Sequence, residues 1–306
     1  MAFRTNIFRR FRRPSPSTVL IVLLLVLGSA IMAYPTISDW WNSYHQTRAI
    51  ATYAAAVEST DPELIEAMLL EAEDYNTKLA HEGSGYAASE VAEEDYDRLL
   101  NLDGNGVMGY IQVKRLKIDY PIYHGTEERV LQMAIGHLVG TSLPVGGTST
   151  HAVVTGHRGM PSAKLFTDLD RMVEGDTFTI TVLNRTLTYE VDQIRIVEPE
   201  DMSDLTIDDG KDYVTLVTCT PYGINTHRLL VRGHRIDNVA GQKVIPADAV
   251  QIPNYIAVPA VAIPMLFVYL VGALVWYGVK GRSLSHDAAL AALRRMEGDD
   301  DRDGTA

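Results

Sequence analysis

Tyr213-Val-Thr-Leu-Val-Thr-Cys219-Thr-Pro-Tyr-Gly-Ile-Asn-Thr-His-Arg228-Leu-Leu-Val-Arg-Gly-His-Arg-Ile236 is the stretch from which the rest of the chain is read. Its β-branched and aromatic run, Tyr213 to Thr218, predicts a buried strand that delivers the only cysteine to the start of a Pro/Gly/Asn loop. Arg228 then opens a second strand, Leu229 to Ile236, so a hairpin-like return sets a permanent cation beside the sulfur. Taken alone, a lone buried cysteine is more often an inert small hydrophobe than a catalyst. A second stretch shifts that balance. His151-Ala-Val-Val-Thr-Gly-His157-Arg-Gly-Met-Pro161 repeats the layout, a short apolar strand followed by a histidine in a Gly/Pro loop. A cysteine nucleophile needs a base or an imidazolium nearby to populate its thiolate. Cys219, His157 and Arg228 therefore form the candidate reactive set.

The chain has 306 residues with 46% apolar content, enough for one sizeable domain with accessory segments. Its formal charge of −12 argues against nucleic-acid binding, which needs a basic face to release counterions. With a single cysteine no intramolecular disulfide can form, and an unpaired thiol outside the cell mildly favours a function for it.

Both ends carry hydrophobic blocks. Arg4, Arg9, Arg10, Arg12 and Arg13 precede the uncharged stretch Thr18 to Tyr34, which suits a transmembrane anchor or a signal peptide cleaved after Gly28-Ser-Ala30. A second charge-free block, Asn254 to Val279, holds Pro259 and Pro264 and is followed by Lys280 and Arg282. The positive-inside rule then places both termini in the cytoplasm and the middle of the chain outside. The expected organisation is a basic N-terminus (1–17), a membrane segment (18–34), a helical region and lid (35–105), a catalytic domain (106–240), a linker (241–253), a second membrane helix (254–279) and a cytoplasmic tail (280–306).

Trp40 to Ala80 reads as helical. Asp61-Pro62-Glu63 has the form of an N-cap, and Leu64, Met68, Ala72 and Tyr75 follow at helical spacing. From Gly106 the pattern becomes short strands: Val107–Val113, Ile118–Tyr123, His151–Thr155, Thr177–Leu183, Leu187–Ile196, Tyr213–Thr218 and Leu229–Ile236. Helical pieces are expected at Glu127–Met133 and Ala163–Asp170. Strands at this spacing suggest a closed β-barrel.

Thr-Gly-His157-Arg-Gly, Leu216-Val-Thr-Cys219-Thr-Pro-Tyr-Gly and Arg228 resemble the catalytic motifs of sortases, the cysteine transpeptidases of Gram-positive cell surfaces. Ile122-Tyr-His-Gly-Thr126, the segment Gly136 to Gly147 and Lys164-Leu-Phe-Thr-Asp-Leu-Asp170 resemble the class C, pilin-polymerising branch. The resemblance covers roughly Gly106 to Ile236. It implies a mainly β fold, a closed sortase barrel of about eight strands with short helices, a helical N-terminal region and two flanking transmembrane helices. It further implies cleavage of a Leu-Pro-x-Thr-Gly-like signal between Thr and Gly through a thioacyl on Cys219, with His157 as acid and base and Arg228 holding oxyanion or substrate. Thr218 would assist the oxyanion. The partners implied are pilin subunits with an acceptor lysine, and the membrane.

The lid is where this sequence departs from the branch. No Asp-Pro-aromatic occurs in His81 to Asn101, so Tyr86 or Tyr96 is the candidate cover, against the plainer reading of a polar loop leading into a short helix. His124, His137, His151, His227 and His234 show no metal-ligand spacing, and no metal or cofactor is expected. His137 and His151 are expected to bond within the barrel, and Arg158 to form a structural ion pair. Two other functions stay open: a housekeeping sortase that attaches proteins to the cell wall, and a non-catalytic membrane domain that binds surface proteins.

Overall fold

The computed structural model describes residues 16–82, 96–160 and 163–238, together with 266, 269 and 270. The chain divides into two compact units, 1–248 and 249–306. Of the second unit only Leu266, Tyr269 and Leu270 are described, all in helix. The basic N-terminus through residue 15, Tyr86, the linker, most of the second hydrophobic block and the tail lie outside the described residues.

Eight strands close into a barrel in the order β1-β2-β3-β4-β7-β8-β6-β5. They are β1 (Val107–Val113), β2 (Ile118–His124), β3 (Ile135–His137), β4 (Thr150–Thr155), β5 (Thr177–Val182), β6 (Arg185–Val197), β7 (Asp212–Thr220) and β8 (His227–Ile236). Seven coincide with the strands expected from alternation. The eighth, β3, has three residues, too few for a period-2 pattern to register; it exists because β2 and β4 both pair with it. β2–β3 and β4–β7 are parallel, and the other neighbours are antiparallel. Alternate residues fill the interior, among them Ile111, Ile122, Val154, Phe178, Leu216 and Val231.

Two helices pack outside the barrel. α1 (Pro16–Ser59) runs through Pro35 and is the one described helix long and apolar enough to cross a membrane. Its C-terminal half is tied to the barrel by Tyr53, whose hydroxyl donates to the Met108 carbonyl at 2.9 Å and accepts from Leu183 N–H at 2.7 Å. α2 (Pro62–Glu82) begins where the Asp61 carboxylate accepts the Glu63 N–H at 2.9 Å, the cap that the sequence predicts. Its buried face is Ile65, Leu69, Ala72, Asn76 and Leu79; of the expected face Ala72 is buried, Met68 and Tyr75 are half-buried against the core, and Leu64 is exposed. Asn76 explains the rotation: its amide pairs with both the N–H and the carbonyl of Leu143, at 2.7 and 2.9 Å, as a strand would.

The Glu127–Met133 helix is present as a single turn, α3 (Glu128–Leu131). Ala163–Asp170 is not an α-helix but a run of turns ending in a 3-10 turn at Leu169–Arg171. Leu165 adopts φ +40°, and its N–H goes to the Tyr120 hydroxyl at 3.1 Å, so tertiary bonds replace the helical ones.

Candidate active site

Strand register brings the candidate residues together. β7 and β8 are antiparallel with Cys219 directly opposite Arg228. β4 lies on the other side of β7, parallel to it, with Thr155 paired to Val217. One step past that last pair the Gly156 N–H still donates to the Val217 carbonyl at 3.1 Å, so His157 leaves the ladder at the level of Cys219. Cys219 thus lies next to the last residue of β7, with the loop carrying His157 leaving one neighbouring strand and Arg228 on the other. Adjacent strands stand about 4.8 Å apart, a spacing that side chains of this size bridge.

Parity sets the faces. Leu216 and Thr218 point inward with the main core, whereas Val217 belongs to a separate outer cluster with Val153 and Leu230. Cys219 shares the parity of Val217, and Arg228 that of Leu230, so sulfur and guanidinium share the outer face. Thr218 is buried on the opposite face, its hydroxyl donating to the Gly156 carbonyl at 2.8 Å. This placement does not match the oxyanion-support role that the resemblance implies; it makes Thr218 a tether for the residue preceding His157.

The His157 loop has further fixings. Its carbonyl accepts the Phe166 N–H at 3.1 Å, and its Nε2 stands 3.8 Å from a Glu128 carboxylate oxygen, the ring being 29% exposed. A Cβ on Gly156 would lie 2.5 Å from Ile135 Cδ1 and 3.0 Å from the Phe166 ring, so any larger residue here forces those side chains to shift. Arg158, nearly buried, bonds to Asp170 at 2.5 Å and to the Thr220 hydroxyl at 3.0 Å, clamping the residue after the cysteine. It is the structural ion pair expected of it.

The outer cluster widens into a groove of about 200 Å³ running from Arg228 along Val217, Val153, Thr155 and Leu230. Val197, at the end of β6 beside Arg228, continues the lining, and the rest comes from Pro199, Asp201, Met202 and Leu205, between β6 and β7, and from Leu131 and Leu138. Sequence reading missed this groove. The signal was there in Val153, Thr155 and Val217, outer-face apolar or β-branched positions leading to His157 and Cys219, but the facing wall is brought in by a connection that has no pattern of its own.

The remaining candidates fall elsewhere. Tyr96 is a core anchor: its hydroxyl meets His137 Nδ1 at 2.9 Å and accepts the Gly125 N–H at 3.1 Å, with the ring packed against His124 and His137. As a cover for the sulfur it is therefore corrected to a buried support. His137 and His151 bond internally, and burial pushes the imidazole of His137 down to about 4. Among the described residues no group of three His, Cys, Asp or Glu stands close enough to hold a metal ion.

Residues 111–236 match the sortase domain family. A solved sortase C1 from Streptococcus agalactiae is 50% identical, with a TM-score of 0.61, the match covering 63% of this chain and all of that one. The chain belongs to the sortase family. Sortase C of Streptococcus pneumoniae, whose structure is described in terms of catalysis and pilin substrate specificity, is 41% identical at a TM-score of 0.57, covering 63% of this chain and 98% of that one. Sortase A of Bacillus anthracis is 23% identical over 225 residues, 73% of this chain and 96% of the relative. The sortase described here stands with the class C branch and is a cysteine transpeptidase.

Proposed function

We propose that this sortase polymerises pilin subunits through a thioacyl intermediate on Cys219. The observation that supports the reading is the register: the sole cysteine of the chain stands opposite Arg228 across β7 and β8, beside the strand that leads into His157, and Arg228 lines an apolar groove with Val217 and Leu230. The groove takes the Leu-Pro portion of a Leu-Pro-x-Thr-Gly-like signal by burying apolar surface, which places the threonine carbonyl at the sulfur. Cys219 attacks that carbonyl, and the glycine amine leaves with a proton from His157. Arg228, always charged, stabilises the oxyanion or holds the substrate backbone. In the second half His157 takes a proton from the incoming amine, a pilin lysine, and an isopeptide bond replaces the thioester. The relation to class C sortases supports the choice of amine.

We further propose that α1 anchors the protein, with the catalytic barrel outside and both termini cytoplasmic, and that Asn254–Val279 is a second span. The Arg-rich start of the chain and the uncharged length of α1 support this.

The test is intact-mass analysis of the full-length chain in detergent, wild type and Cys219→Ala, after incubation with a Leu-Pro-x-Thr-Gly peptide. A wild-type adduct equal to the peptide minus its glycine end, absent from the variant, is the expected outcome. No adduct while the thiol still alkylates would overturn the proposed signal. High-mass pilin ladders persisting in cells that carry Cys219→Ala would favour a binding domain over a transpeptidase step at this residue.

A further inference from the structure

The junction of α1 with the barrel carries an inference about what the barrel rests on. Three tethers along α1 fix its level against the barrel domain. Tyr53 bonds to Met108 near the start of β1, Gln46 bonds to the Met133 carbonyl, and the Asp39 carboxylate accepts the Lys164 N–H at 3.1 Å. Lys164 Nζ in turn donates to the carbonyl of Leu116, in the hairpin turn, at 3.3 Å. From Tyr53 down to Asp39 the helix rises about 21 Å, close to the length of β1. The hairpin therefore runs alongside α1 and its tip ends level with Asp39.

That level is where α1 loses its charges. Thr18 to Ser38 contains none, about 32 Å of helix, which matches a hydrocarbon core. Immediately above it Trp40, Trp41 and Tyr44 are exposed by 43, 57 and 51%, the residue types that settle among headgroups. The hairpin tip at the same height is Lys114-Arg115-Leu116-Lys117, with all three cations exposed. Arg115 pairs with Asp176 at 2.7 Å, and Lys164 and Arg171 share Asp168 at 2.8 and 3.7 Å. Lys114 and Lys117 have no carboxylate partner among the described residues. Near the tip Asp176 pairs with Arg115 and Asp168 with Lys164 and Arg171, Asp39 accepts only a backbone N–H, and Asp119 follows in β2; the five cations Lys114, Arg115, Lys117, Lys164 and Arg171 outnumber these four carboxylates, so a protein of net charge −12 presents a locally positive point there. An acidic body held beside an anionic surface turns its most positive side toward it.

We propose that the 114–117 hairpin tip docks on anionic phospholipid headgroups and so sets the tilt of the barrel on the bilayer. The assignment rests on α1 crossing the membrane. Its consequence is a barrel with a fixed orientation, since one continuous helix and a second contact about its axis remove the freedom to swivel.

The experiment uses the full-length chain in nanodiscs of neutral phosphatidylcholine, or with about 30 mol% phosphatidylglycerol, and maps lysine acylation by mass spectrometry. Lys114 and Lys117 should acylate about fivefold more slowly in the anionic discs, with the difference lost near 1 M salt and Lys211 unchanged throughout. Equal labelling in the two discs overturns the proposal, as does protection that is independent of lipid charge. A chain that does not co-elute with the discs strikes down the anchoring itself and the docking surface with it.

Discussion

Thr218 and Cys219 are sequence neighbours with opposite duties because a strand alternates its faces. Thr218→Val keeps the shape but removes the hydroxyl that the Gly156 carbonyl accepts. The expected loss is about 1 kcal/mol of stability, with slower thioacylation because the His157 loop is less well held. Urea midpoints and adduct-formation rates measure the two separately; an unchanged rate would show that the tether does not position His157. Gly156→Ala should cost about 1–3 kcal/mol, since the added methyl meets Ile135 and the Phe166 ring. Arg228→Lys keeps the charge and loses the planar fork, so thioacylation should fall roughly 10²-fold while the urea midpoint stays near wild type.

At the scale of elements, the sequence reads well where a pattern is long. α2 is announced by its cap and by its helical spacing, yet which face it buries was legible only in part. Asn76 does not count as apolar in a periodicity, but it is the residue that satisfies both backbone groups of Leu143. Asn76→Ala leaves those buried groups unpaired, and a loss of about 1–3 kcal/mol is expected, read as a lower thermal midpoint without loss of the barrel's circular dichroism. The Ala163–Asp170 turns show the converse. A helix-like run of apolar spacing gives way when Tyr120, Asp39 and His157 take its backbone groups. Register explains why β3 escaped notice: three residues are defined by their partners rather than by themselves.

For the whole molecule, pH is the readout of the buried histidines. His137 is held neutral by burial, its value lowered from 6.5 to about 4, while its bond to the Ser142 carbonyl opposes the shift; His151 is lowered for the same first reason. The unfolded chain binds these protons below about 6.5 and the folded chain resists, so stability falls as pH drops from about 6.5 towards 4. His137 alone accounts for roughly 3 kcal/mol across that window. Asp212, raised by burial, acts in the opposite sense just above 3.8. Urea midpoints at pH 7, 6, 5 and 4.5 should decline; a flat series would show that the histidines are not buried neutral.

By itself the sequence singled out the candidate reactive set and determined the strand-rich domain and the family. Each of these rests on local chemistry: one cysteine, one histidine at the end of a strand, one arginine opening the next, and alternation along each strand. Tertiary structure decided the pairing of β4 with β7 and Cys219 with Arg228, the inward turn of Thr218, the burial of Tyr96 and the wall of the groove. Those depend on which strands become neighbours and which face a loop covers. Contacts between residues 60 or more positions apart, such as Thr218 with Gly156, leave no periodic trace in the segments that make them.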